Sequence, residues 1–313
     1  IGQKDYNTVL SSANSVYFEY ILSSLDKRGI RAISVVSDNY PEFLREITNP
    51  PLILYAKGNL DLLADQNIFA IVGSRRNLPL SINLAKDYAK TLSQAGFTLI
   101  TGIAEGVDSA VLSSVLENGG KVISVLAGGF DNLYPKANQQ LLEKVEKHGL
   151  VISENPPEVA PKPYMFPIRN RIISALAKGV LIASGGIKSG TQYTAEYALE
   201  YGKDLFAIPY SVGISSGAGC NDLIKRGAIL TDTPNDLLEF YGLQKKEQKI
   251  SLSEIEHSIC SLLSDGQMHV EKICEQLSKQ VFEIMPTLSI LEIKGLVVKS
   301  GNFYGLTRNN LEE

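Results

Sequence analysis

The chain has 313 residues, 44% of them hydrophobic and 20% charged, which excludes a single small module and wholesale disorder and leaves room for about two domains. A formal net charge of −4 excludes the overall basic field of most nucleic-acid binders, so any DNA site has to be local. No apolar run approaches the roughly 18 residues of a membrane span, and the start lacks a basic-then-apolar secretory pattern, so no membrane partner and a cytoplasmic address are expected.

Residues 5–63 read as a helix followed by an extended connector. Val9, Val16, Ile21, Leu22 and Leu25 form a loose helical stripe. The prolines from Tyr40-Pro41 to Pro50-Pro51 forbid a long helix, and Leu52–Tyr55 is expected to be an edge strand. From Ile68 the pattern changes. Ile68–Val72, Thr98–Thr101, Val122–Leu126, Leu150–Ser153, Val180–Ala183 and Leu205–Ile208 are apolar throughout, as buried parallel strands are. Between them, Leu80–Ala95, Val107–Glu117, Ala137–His148, Arg169–Lys178 and Thr191–Tyr201 have the amphipathic spacing and length of crossover helices. The implied fold class is α/β, a Rossmann-like doubly wound, mostly parallel sheet.

The charged stretch Gln244–Lys249 reads as a linker to a second unit. There Ile255, Ile259 and Leu262 mark one helix, Val270, Ile273 and Leu277 a second, and Val281, Ile284, Leu288 and Leu291 a third. Leu296–Val298 and Tyr304–Leu306 flank the turn Ser300-Gly301-Asn302 as a hairpin. Three helices and a hairpin predict a C-terminal winged helix-turn-helix domain. The expected division is 1–66, 67–242 and 249–313.

In a doubly wound sheet, ligands bind beyond the carboxyl ends of the strands, where loops enter helix N-termini. Here those loops are Gly73-Ser74-Arg75-Arg76, Thr101 to Asp108 with Gly102 and Gly106, Ala127-Gly128-Gly129, and Ser184 to Thr191. Glycine there allows close backbone approach to phosphates, and it also serves any short strand-to-helix turn. No GxGxxG follows the first strand, and Thr191 stands where a P-loop needs Lys, so neither NAD nor ATP, and no other cofactor, is expected. Cys220, Cys260, Cys274, His148, His257 and His269 lack metal-ligand spacing, and no metal is expected. In Phe166-Pro167-Ile168-Arg169-Asn170-Arg171, the two arginines point to different sides of a first helical turn, so one can grip a phosphate while the other braces a loop. Phe166 offers a stacking face or a core anchor.

These residues resemble the DNA-processing protein A family, also called Smf. The resemblance is carried by Ile71-Val72-Gly73-Ser74-Arg75, Gly102-x-Ala104-x-Gly106-x-Asp108, Tyr134-Pro135-x-x-Asn138, Ser153-Glu154, Phe166-Pro167-x-Arg169-Asn170-Arg171-Ile172-Ile173 and Asn221-x-Leu223-Ile224-x-x-Gly227-Ala228. It implies a homodimer that binds single-stranded DNA at the strand-end rim, protects incoming DNA and helps load the recombinase RecA in natural transformation. Carried over by position, Arg75 and Lys136 contact the DNA backbone and Phe166 a base. The basic residue that often stands three before that Phe is replaced by Pro163, with Lys162 beside it. The implied DNA site comprises Gly73, Ser74, Arg75, Gly102, Gly106, Lys136, Lys162, Phe166, Arg169, Asn170, Arg171, Ser189, Gly190 and Thr191. Departures from the family pattern fall at Ala110-Val111, at Ile182-Ala183-Ser184 and at Pro209-Tyr210.

A looser resemblance, of Gly185-Gly186 to Gly190-Thr191 with Glu196, is to the signature of LOG-like phosphoribohydrolases. It implies an enzyme with Glu105, Asp108 or Glu196 as its carboxylate, or a nucleotide sensor without turnover. The family resemblance favours a binder that is not an enzyme. From Leu243 to Glu313 there are eight basic and ten acidic residues, so the tail is expected to contact protein rather than DNA.

Overall fold

A computed structural model describes residues 15–75, 78–243, 252–264 and 266–307. Val9, Arg76, the linker 244–249 and the tail charges Asp265, Arg308, Glu312 and Glu313 lie outside the described residues. The chain divides into two compact units, 1–246 and 247–313.

The first unit is built on a nine-stranded sheet: β1 (Arg31–Ser34), β2 (Ile53–Gly58), β3 (Ile68–Val72), β4 (Thr98–Thr101), β5 (Val122–Val125), β6 (Leu150–Ser153), β7 (Gly179–Ile182), β8 (Asp204–Ala207) and β9 (Ile229–Leu230). Their order across the sheet is β1-β2-β6-β5-β4-β3-β7-β8-β9. From β6 to β9 every pairing is parallel, while β2 runs antiparallel to both β6 and β1. Strands β3 to β8 fall within one residue of their expected limits at each end.

The reason is visible in β3. Ile68, Ala70 and Val72 face one core cluster and Phe69 and Ile71 the other, so helices on both sides leave no position for a polar residue. Each large side chain buried in this way contributes about 1.5–3 kcal/mol. One layer is formed by the helices Pro79–Gln94, Val107–Glu117, Gln139–His148 and Pro234–Phe240, and the other by Met165–Leu176, Thr191–Glu200 and Ala218–Lys225.

The N-terminal segment differs from expectation. Its strand is Ile53–Gly58, and β1 covers its outer side, so it is an interior strand. β1 escapes notice because it is short and only Ile33 of its four residues is buried. Residues 31–34 and 53–58 of the expected helical and extended segment 1–66 therefore belong to the main sheet. In the helix Ser15–Lys27, Leu25 is buried and Leu22 exposed. β9 also went unread, being only two residues long.

The second unit contains the helices Glu254–Leu263, Val270–Leu277 and Val281–Ile293 and the strands β10 (Met268–His269), β11 (Val297–Ser300) and β12 (Phe303–Leu306), paired in the antiparallel order β10-β12-β11. Ile259, Leu263, Ile273, Ile284, Leu288, Leu291 and Tyr304 form its core. Gly301, at φ +63°, makes the turn between β11 and β12. Among the described residues, no helix is long and apolar enough to cross a membrane.

Candidate nucleic-acid interface

The strand order reverses between β3 and β7, so the crevice of a doubly wound sheet opens where the loops after these two strands separate. Gly73, Ser74 and Arg75 follow β3, and Ala183 to Gly190 follow β7. The two loops are tied at their base: the Ser74 backbone N–H is 3.0 Å from the Ser184 carbonyl oxygen and 3.2 Å from its hydroxyl. A side chain at Gly73 would run into Val107 and the Ser184 hydroxyl, which is why the turn needs glycine.

The loop after β4 is organised around buried charge. Gly106, at φ +89°, starts the helix Val107–Glu117, whose first turn carries Asp108. The Asp108 carboxylate accepts the Ala104 backbone N–H at 3.3 Å. A Cβ on Gly102 would strike both Asp108 and the Arg169 guanidinium, so these opposite charges close on a bare backbone. Burial pushes the Asp108 carboxyl above its usual range, opposed by Arg169, and pushes Arg169 down to about 10, opposed by Asp108.

Arg169 and Arg171, both expected at the DNA surface, are only 8% and 7% exposed. Arg169 donates to the Val125 carbonyl and, at 3.1 Å, to the Asn170 side chain. Arg171 pairs with Glu154 at 2.5 Å. Helical geometry turns both inward from the helix Met165–Leu176, so both brace it, the role expected of one of them. Asn170 donates to the Gly190 carbonyl at 3.3 Å and so holds the loop after β7. In that loop Thr191 is buried, its hydroxyl 3.0 Å from that of Ser189, while Gly190 is exposed. Gly102 is buried too.

Arg75, Lys136 and Lys162 are exposed. Asn138, which donates to the Ile103 carbonyl at 2.8 Å, holds the turn bearing Lys136 against the β4 loop. Phe166 opens the helix Met165–Leu176 and lies against Arg75, whose guanidinium carbon is 4.7 Å from the ring centroid. Tyr134 meets Phe166 edge-on, with centroids 5.8 Å apart and planes at 73°. Tyr134 was not among the expected site residues, although the Tyr-Pro motif contained it. Tyr134 and Phe166 also line a shallow recess with Ile103, Leu126, Leu133 and Pro161.

Some glycines and departures have structural duties instead. Gly128 and Gly129 pack against the connector 156–161, whose Val159 carbonyl accepts the Gly129 N–H at 2.8 Å, so that loop is covered by protein. Val111 is fully buried in the core. The Tyr210 hydroxyl lies 2.9 Å from that of Ser81 and donates to the Ala183 carbonyl at 2.6 Å. Of the runner-up carboxylates, Glu105 and Glu196 are exposed and Asp108 is buried. Among the described residues, no group of three or more His, Cys, Asp or Glu could hold a metal ion.

The family model of DNA recombination-mediator protein A matches residues 31–242. The chain is 36% identical over 219 residues to DNA processing protein DprA of Bacillus subtilis, covering 70% of this chain and 74% of that protein. It is 40% identical over 209 residues to DprA of Streptococcus pneumoniae, covering 66% of this chain and 73% of that protein. The solved structure of S. pneumoniae DprA matches with a TM-score of 0.65 at 37% identity, over 69% of this chain and 77% of that one. DNA processing protein A of Helicobacter pylori, in a structure concerned with its single-stranded DNA binding mode, matches with a TM-score of 0.61 at 27% identity, over 68% and 95%. Because residues 31–242 contain all nine strands of the sheet and the whole of this rim, the chain belongs to the DNA recombination-mediator protein A family.

Proposed function

We propose that this protein binds single-stranded DNA along the strand-end rim, with Arg75, Lys136 and Lys162 on the phosphates and the Arg75–Phe166 pair on a base. The observation that carries this reading is the cluster of exposed Arg75 and Tyr134 with half-buried Phe166 beside the switch point: a cation and two aromatic rings on one edge are the parts of a sequence-tolerant single-strand site. The single-stranded DNA binding of the H. pylori relative supports it. Ser189 and Gly190 extend the rim, and Gly73, Ser74, Gly102, Gly106, Asn170 and Thr191 shape its backbone.

The family resemblance extends this to protection of incoming DNA and loading of RecA in natural transformation, by a cytoplasmic homodimer. The second unit, with its helix-strand-helix-helix-strand-strand order, is read as a winged helix. The rim is read as a binding surface without turnover.

The test is a mobility shift with single- and double-stranded oligonucleotides at several salt concentrations. Single strands should be preferred, with log affinity falling against log salt at roughly −0.7 per phosphate contact. Arg75→Ala should weaken all sequences alike, and Phe166→Ala should cost about 1–3 kcal/mol of binding. Salt-independent binding would count against the site. Release of free base from nucleoside monophosphates that disappears in Glu196→Gln would overturn the absence of turnover.

A further inference from the structure

We propose that the outward face of the helix Val281–Ile293 is an isologous contact at which two copies of this chain meet, helix against antiparallel helix about a two-fold axis. The contact is separate from the strand-end rim and does not depend on the reading of the rim.

This helix is apolar on two faces. Ile284, Leu288 and Leu291 are fully buried in the core of the second unit. On the opposite side Phe282 is 76%, Ile290 46% and Ile293 86% exposed, and Pro286 between them is exposed too. At 3.6 residues per turn, these four positions, spaced four, four and three residues apart, lie within about 80° of the helix circumference. No charged residue interrupts the stripe. One apolar stripe is satisfied by the helix's own domain; a second on the far side calls for a second partner. The face lies outside residues 31–242, the part matched by the family model, and in the unit without the nine-stranded sheet.

A second copy fits this face because the face is complementary to itself. A two-fold axis crossing the stripe at the level of Leu288 turns the helix end for end. It sets Phe282 against Ile293 of the second copy and Pro286 against Ile290 of the second copy. Glu283 and Lys294 stand eleven residues apart on the same flank of the stripe, centred on the same level, so the axis brings each carboxylate beside an ammonium. Glu283 is half exposed and has Lys279 only at 3.7 Å, while the Lys294 bond to Glu256 uses one of three N–H groups. At about 150–250 Å² for a fully exposed large side chain, the stripe offers roughly 500 Å² per copy and about 1,000 Å² in all, the size of a weak, reversible interface.

The experiment is sedimentation velocity of the full chain over roughly 1–200 µM, the range in which so small an interface forms and dissociates. Wild type should show a weight-average mass that rises with concentration. Phe282→Lys and Ile293→Glu should each abolish the rise, because the two-fold axis repeats every substitution on both sides of the contact. An equimolar mixture of the two variants should recover it. There the introduced ammonium of one copy meets the introduced carboxylate of the other, while the unaltered Ile293 and Phe282 still pack at the far end. Both side chains are exposed, and unchanged melting temperatures establish that the variants are folded. Pairing through the first unit is common to every sample and leaves these differences untouched. A wild-type mass independent of concentration, a rise that persists in either variant, or a mixture as dissociated as its components overturns the proposal.

Discussion

The backbone N–H of Ser74 is shared between the carbonyl oxygen of Ser184, at 3.0 Å, and the Ser184 hydroxyl, at 3.2 Å. This joint binds the loops after β3 and β7 where the sheet reverses its strand order, beneath Arg75. Ser184 is fully buried. In Ser184→Ala the carbonyl contact remains and the hydroxyl contact is lost, so the protein should lose about 1 kcal/mol of stability. Urea unfolding of the two proteins measures this, and coincident midpoints with equal slopes would show that the hydroxyl contributes nothing.

Gly102 is the point on which Asp108 and Arg169 converge. A methyl group there must push a carboxylate or a guanidinium aside, and both are confined by burial. Gly102→Ala should therefore destabilise the protein by about 1–3 kcal/mol. Because Arg169 braces the helix that carries Phe166, it should also weaken single-strand binding. A variant with wild-type melting temperature and affinity would mean that the charged pair relaxes without strain.

In the second unit Glu256 caps its own helix, accepting the Ser253 backbone N–H at 2.8 Å, and pairs with Lys294 at 2.6 Å. The Lys294 ammonium, followed by the Ser253 N–H, holds its carboxyl below the usual range. A carboxylate lowered by folding stabilises the folded state above its unfolded value near 4.5, and the contribution is lost as pH falls through the lower folded value. Acid titration followed by resonances of this unit should show stability falling below about pH 4.5. In Glu256→Gln that part of the pH dependence should be absent; an unchanged acid profile would assign it to other groups.

The tail should not bind DNA. The helix Val281–Ile293, which as the third helix of a winged helix would enter the major groove, carries Glu283 and Glu292 and exposes Phe282, Ile290 and Ile293. Lys279 lies 3.7 Å from Glu283 and Lys294 pairs with Glu256, so neither cation is left without a carboxylate. Residues 249–313 expressed alone and titrated with duplex DNA at low salt should show no saturable binding. Micromolar affinity would reverse this expectation and return the unit to groove reading.

What the sequence determines by itself is the frame. Strands covered on both faces are apolar at nearly every position, which makes Ile68–Val72, or Leu150–Ile152 leading into the buried Ser153, legible without a structure. The loops at their carboxyl ends follow from the same reading, as do Arg75, Lys136 and Phe166 once the motifs are recognised. Short edge elements such as β1 and β9 carry too few residues to show a period, so only pairing reveals them. The tertiary structure alone decides which residues face each other across loops. Periodicity places Arg169 and Arg171 on different sides of a helix but does not say that the Val125 carbonyl and Glu154 wait there. Tyr134 joins the rim for the same reason: its contact with Phe166 spans chain segments that meet only when the sheet is wound, and the burial that fixes them is a property of the packed layers, not of local sequence.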